Sequence, residues 1–244
     1  MEQWEVTPLS NVMNTSIKTT PQERKLGFRV LFLGMFAIGT GQTLFIAVLP
    51  PYARGLGLTE VQVGFIFSLS ALGWMLMSPF WGKKSDYLGR KSIIILGLII
   101  YSITTILMGV EFRLNELGVI NLSTLFGLLI LTRGCYGFLG SGAHSASMAY
   151  VADRTTEQER SGVMAVMGSA FAISGIVGPG LASAAVLLGP LVPYFLFGGI
   201  TGFIALLIFI YLPEKTKPIR PAKVHEARLT PFDSRVISFA LMGL

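Results

Sequence analysis

Six apolar stretches, at residues 28–50, 61–81, 92–110, 122–152, 163–188 and 192–212, constrain this chain more than any other feature. Crossing about 30 Å of hydrocarbon takes roughly 20 helical residues, and each stretch is of that order. Lipid offers no partner for a backbone N–H or C=O, so each stretch has to be an α-helix with its hydrogen bonds made internally. The sequence is 52% hydrophobic and 13% charged. A soluble domain carries about 25% charged residues, so too little polar surface remains here for a fold that faces water all round. The expected fold class is all-α integral membrane, a six-helix transmembrane bundle. The fifth and sixth stretches are separated only by a short turn at Gly189 and Pro190, which forces an antiparallel hairpin.

Loop charges assign the sides. Of the 19 Lys and Arg residues, 16 lie on one side: in the N-terminal tail and first turn (Lys18, Arg24, Lys25, Arg29), between spans two and three (Lys83, Lys84, Arg90, Lys91), between four and five (Arg154, Arg160), and beyond six. The opposite side has only Arg54 and Arg113, and Arg133 falls inside span four. By the positive-inside rule the N-terminus is expected to be cytoplasmic, and the protein is expected to be of the inner (plasma) membrane type. The chain divides into a cytoplasmic tail (1–26), a six-span bundle (27–212), a basic, proline-bearing cytoplasmic linker (213–235) and an apolar start of a seventh span (236–244) that is too short to cross a bilayer.

Several classes are disfavoured. The net charge of +6 is spread over short loops rather than gathered on one face, which argues against nucleic acid as a partner. The polar first 26 residues precede no short apolar core with a cleavage site, so span one is expected to act as an uncleaved insertion signal. The single cysteine, Cys135, cannot form an intrachain disulfide and reads as a small packing residue. No phosphate-binding glycine loop, dinucleotide fingerprint or zinc spacing occurs, so no cofactor, metal or enzymatic activity is expected. No Asp or Glu falls inside the six stretches as delimited.

The residues that carry chemistry fall into four groups. Between spans two and three, Gly82, Asp86, Gly89, Arg90 and Lys91 place an acid and bases beside glycines that permit a tight turn. In span four, Arg133 is costly in hydrocarbon, about 2.5–3.5 kcal/mol on insertion scales, so it faces a water-filled cavity or the bundle interior. At about 100° per residue, Gly137, Gly140, His144 and Ser147 share its face. His144 is then either a proton carrier or a histidine satisfied by a neighbouring helix. In span five, Gly168, Ala172, Gly175, Pro179 and Ala182 form a small-residue face suited to close helix approach, with Gly178 beside Pro179. In span one, Gln42 stands with Met35, Ile38, Ile46 and Leu49. It reads as a polar contact for an apolar ligand or as interhelical glue.

Together these resemble the major facilitator superfamily, and within it the tetracycline-resistance and multidrug:proton antiporter branch, over residues 25–244. Gly82 to Lys91 resembles the loop signature at every defining position. Arg133 and Gly137 match the fourth-span signature, with Tyr136 replacing its glutamine and Leu139 its second glycine. Gly178 and Pro179 match the fifth-span antiporter signature, with Ser174, Ala182 and Ser183 where glycines are usual. The resemblance implies an inverted three-plus-three repeat in one half of a twelve-span protein. It implies a gating role for the loop signature, with an Arg90–Asp153 pair and Asp86 directed to the other half, although a solvated Asp153 is the alternative. It further implies that Arg133 lines the central cavity in connection with proton coupling, and that helix five packs on the other half. The expected function is proton-coupled efflux of a small amphipathic substrate, with the lipid bilayer as solvent and a second bundle or a second copy needed for a closed pathway. Metabolite uptake and a non-transporting membrane fragment or interaction partner are the alternatives.

Overall fold

The structure, a computed structural model, describes residues 21–213. Most of the tail, most of the linker and the expected seventh span lie outside these residues, while residues 21–26 of the tail are the first turns of a helix. Six helices cover the described chain: α1 (Pro21–Gly55), α2 (Glu60–Leu88), α3 (Arg90–Glu116), α4 (Leu122–Ala152), α5 (Glu157–Val186) and α6 (Val192–Tyr211). Helix α4 is α-helical over Leu122–Cys135 and Gly142–Ala152 and π-helical over Tyr136–Gly140.

The helices outrun most of the predicted stretches because hydropathy marks only the part that lipid must accept. Polar turns continue the same backbone hydrogen bonding beyond it. The largest difference is at the second connection. Residues 82–92, read as a loop, are helical except for Gly89, whose φ of 93° lets α2 stop and α3 start within one residue. Elsewhere the ends are fixed by caps: Thr59 and Gln62 close a capping box on α2, Asn121 accepts from the Thr124 N–H at the start of α4, and Thr156 accepts from the Glu159 N–H at the start of α5.

Packing follows a pseudo-two-fold relation between the two halves of the bundle. Helix α1 lies against α5 as α4 lies against α2, and α3 lies against α6. This is the contact pattern of an inverted three-plus-three repeat. Helices α2 and α5, which correspond in this relation, are equally uncovered, with 22% of the apolar stretch buried in each. Two apolar cores sit at opposite ends of the bundle. One is built on Phe45, Leu49, Tyr101, Phe112, Leu129 and Tyr194, and the other on Leu31, Ile38, Ile94, Ala146, Tyr150 and Ile208.

Lipid provides no hydrophobic force to press helices together, so the seams rely on small residues and interhelical hydrogen bonds. Ser102 Oγ donates to the Gly198 carbonyl at 2.7 Å across α3–α6, and Ser174 Oγ to the Phe36 carbonyl at 2.9 Å across α1–α5. At α2–α4 a Cβ on Gly137 would stand 2.5 Å from the Ser70 carbonyl oxygen. By contrast, a Cβ on Gly168 or Gly175 would meet nothing within 4 Å. We therefore expect Gly137→Val to destabilise the detergent-solubilised bundle by about 1–3 kcal/mol through overpacking. Gly175→Ala should leave stability unchanged or raised, since alanine is the better helix former by about 1 kcal/mol. Thermal unfolding followed by tryptophan fluorescence ranks the two variants, and equal destabilisation would refute the assigned seam.

Candidate functional site

The charged signature assembles where α2, α3 and α4 end on one side of the bundle. Arg90, at the first position of α3, pairs with Asp86 one turn back on α2 and with Asp153 at the end of α4, its Nε donating to Asp153 Oδ2 at 3.1 Å. Its Nη1 donates to the Gly82 carbonyl at 3.2 Å and to Ser85 Oγ. The Arg90–Asp153 contact expected from the resemblance is present in the geometry. Asp86, which the resemblance directs to the other half, pairs with Arg90 within this bundle, because Gly89 folds α3 back at once. Gly82 contributes its carbonyl rather than its small size, since a Cβ there would have ordinary contacts. Lys91 lies over the Phe209 ring of α6 at 5.5 Å. The Asp86 and Asp153 side chains are 48% and 40% exposed. Ion pairs in such settings are worth about 0–1 kcal/mol, so this cluster joins three helix ends without locking them.

Of the two placements open to it, a water-filled cavity or the bundle interior, Arg133 takes the interior. It is 3% exposed and lies inside the bundle rather than on an open cavity wall. Its guanidinium stands 4.1 Å from the Phe45 ring centroid and 5.3 Å from that of Tyr136. Its Nη2 donates to Gln42 Oε1 at 3.2 Å, and Gln42 Nε2 donates to Tyr136 Oη at 2.6 Å. Two residues singled out separately, Gln42 and Arg133, are thus one unit, and the tyrosine that replaces the signature glutamine is its third member. Of the aliphatic neighbours expected beside Gln42, Met35, Ile38 and Leu49 are buried, whereas Ile46 is exposed.

His144 leaves the Arg133 face because of the π-helical turn. Eleven residues of ideal α-helix bring side chains to within about 20° of each other; one residue added by a π-turn moves them roughly 80° apart. His144 therefore lies between the rings of Trp74 on α2 and Phe171 on α5, at centroid distances of 5.5 and 5.2 Å. Its Nδ1 is buried without a hydrogen-bond partner. The Trp81 indole donates to the Phe138 carbonyl within the widened turn at 2.8 Å, and Gly140 lies beneath the Tyr136 ring.

On α5 the small-residue face divides. Gly178 packs against Thr43 of α1, and Ser174 and Ala182 are fully buried there. Gly168, Ala172, Gly175 and Pro179 face out of the bundle. Cys135, read as a packing residue, is exposed.

One buried acid escaped the sequence reading. Helix α3 continues to Glu116, which brings Glu111 into the bundle at 7% exposure, where it accepts a hydrogen bond from Thr132 of α4. The apolar stretch stops at the first charge, so hydropathy alone ended the span one residue too early. The signal that could have found it is helical phase: Glu111 follows Tyr101, Thr104, Thr105 and Met108 at spacings of three and four, all of them buried.

The fold and these clusters define a polytopic six-helix membrane bundle with a charged junction at one end and a buried arginine in its core. A family profile described as the Major Facilitator Superfamily matches residues 31–243, and the chain belongs to this superfamily. It is 28% identical over 209 residues to the quinolone resistance protein NorA of Staphylococcus aureus, a match that covers 85% of this chain and 51% of that protein. It is 29% identical over 203 residues to multidrug resistance protein 2 of Bacillus subtilis, covering 83% of this chain and 48% of that one. The crystal structure of the human organic anion transporter MFSD10 superposes with a TM-score of 0.60 at 24% identity, over 80% of this chain and 49% of that one, a likeness of fold. The chain spans about half the length of the curated relatives it matches. It is a multi-pass membrane protein.

The two clusters should respond differently to substitution. Gln42→Leu strips the buried guanidinium of its hydrogen-bonded partner and should cost about 1.5–3 kcal/mol. Arg90→Ala removes half-exposed pairs and should cost about 1 kcal/mol or less. Unfolding in detergent should show Gln42→Leu as the more destabilised; the reverse order would overturn the assignment of Arg133 to the core.

Proposed function

We propose that this chain forms one half of a secondary active transporter that exports a small amphipathic compound in exchange for protons, from a plasma membrane and with its N-terminus in the cytoplasm. The observation that carries this reading is the Arg90 junction. One guanidinium joins the ends of α2, α3 and α4 through pairs weak enough to be remade when the bundle rocks. The relatives named for quinolone and multidrug resistance support export of drug-like compounds. Helices α2 and α5, each mostly uncovered, are the surfaces on which a second bundle or a second copy of this chain would close the pathway. The outward glycines of α5 give that partner close backbone approach.

In this reading the Arg133–Gln42–Tyr136 unit fixes the core against which the cavity side of α4 moves. His144, between Trp74 of α2 and Phe171 of α5, is a titratable group between the helices with the uncovered faces. Sixteen of 19 basic residues on one side support the cytoplasmic placement of the Arg90 junction.

Flux across a compound panel in vesicles with an imposed proton gradient tests the function. We expect gradient-driven movement of an amphipathic substrate by the chain joined to its second bundle. Asp86→Asn or Arg90→Ala should abolish it while membrane insertion is retained, and transport equal to wild type in either variant would refute the gating role. Reporter fusions at residues 83–91 should report a cytoplasmic location. No flux with any compound, together with unchanged drug susceptibility of expressing cells, would favour a non-transporting membrane component.

A further inference from the structure

Glu111 is the one acidic side chain among the described residues that is more than nine-tenths buried, and none of the features above uses it. Its Oε1 accepts from Thr132 Oγ1, and its Oε2 is buried with no hydrogen-bond partner among the described residues. It forms no salt bridge with the described residues.

The charged groups around this end of the bundle are held by other partners, and the Tyr101 and Tyr194 hydroxyls are buried with no hydrogen bond to Glu111. Arg133, the residue after Thr132 on α4, is held by Gln42 and lies on Phe45. Tyr136, one turn further along α4, accepts from Gln42. Tyr52 of α1 donates to Glu116, and Arg113 pairs with that same Glu116. Tyr194 of α6 packs against Phe45 and Phe112, and Tyr101 of α3 against Phe45 and Tyr136. An ionised carboxylate in such a place, with one hydroxyl donor and no cation, is a costly state that a proton relieves. Ionisable residues within membrane helices typically mark ion or proton pathways.

We propose that Glu111, held by Thr132 at the seam of α3 and α4, is a proton-exchange site of this bundle. This deepens the proton-coupled reading given above and rests on it for its role in transport. In the packed state the carboxyl carries its proton. When α4 shifts, Thr132 withdraws and water reaches the seam. The carboxyl O–H bond then breaks, the proton passes to a water molecule and the carboxylate remains; repacking reverses the step. Two features suit the site to this. Glu111 lies five residues before the end of α3, about 7.5 Å at 1.5 Å per residue, so the path to bulk water is short. Thr132 lies four residues before the π-helical turn at Tyr136, a kind of helix defect frequent at functional positions.

The test uses the full chain reconstituted in lipid and difference infrared spectroscopy of the protonated carboxyl stretch. Wild type should show this band at neutral pH. Glu111→Gln should lose it, and Thr132→Val, which removes the donor but keeps the acid, should retain the band at a shifted frequency. Absence of the band in wild type, or its survival in Glu111→Gln, would overturn the proposal. If Glu111→Gln does not insert, an unshifted band in Thr132→Val overturns it and a shifted one supports it. Where gradient-driven flux is found, Glu111→Gln should flatten its pH dependence, and an unchanged pH profile would remove the role in coupling. If no flux is found, the transport reading falls, while the infrared result still decides whether Glu111 exchanges a proton.

Discussion

The exclusion of water from hydrocarbon governs this structure. Every backbone polar group in the spans has to be satisfied within its own helix, so the architecture reduces to six rods and their seams. Hydrophobic segregation cannot decide which rod touches which, because lipid tails are as apolar as the leucines and isoleucines they surround. Contacts are decided instead by where backbones can approach and where a hydroxyl can reach a neighbouring carbonyl. Ser102 to Gly198 and Ser174 to Phe36 are such contacts, and Gly137 against Ser70 is a close approach of α2 and α4.

The same constraint sorts the polar residues. Arg90 and its acids sit at helix ends within reach of water, where their pairs are weak and exchangeable. Arg133 is inside, where a charge without compensation is expensive. It is met by an amide, a π-face and a tyrosine rather than by a carboxylate. That arrangement gives the guanidinium one hydrogen bond and aromatic faces without a second buried charge beside it, and leaves its Nε buried without a hydrogen-bond partner among the described residues. The cost of desolvating an ion pair can exceed the attraction gained, so a neutral cage is a sound alternative. Glu111 received no such cage; a lone threonine hydroxyl is its recorded hydrogen-bond partner.

The two mostly uncovered helices carry the other lesson. Glycines normally explain themselves by what a Cβ would strike, and Gly137 and Gly178 do so within this bundle. Gly168 and Gly175 do not, because open space surrounds them. In the proposed reading their small size serves a second bundle packed against α5. This agrees with a bundle that makes up about half of a superfamily member.

Span number, helical character, the grouping of positive loops and the presence of a charged junction near Gly89 were legible in the sequence. Each depends on composition over a window or on residues close together in the chain. The Arg90–Asp153 contact was reached only through family resemblance, since 63 residues separate the pair. Three matters were settled by tertiary structure alone. The π-helical turn separated His144 from Arg133, a phase change that a uniform 100° step cannot contain. The crossing of α1 and α4 put Gln42, Arg133 and Tyr136 into a single unit. The packing of α3 on α4 drew Glu111 inside, although a hydropathy count places it at the edge. The reason is common to all three: hydropathy specifies which segments leave water, whereas the side chains that meet are fixed by helix phase and crossing, which depend on partners remote in the chain.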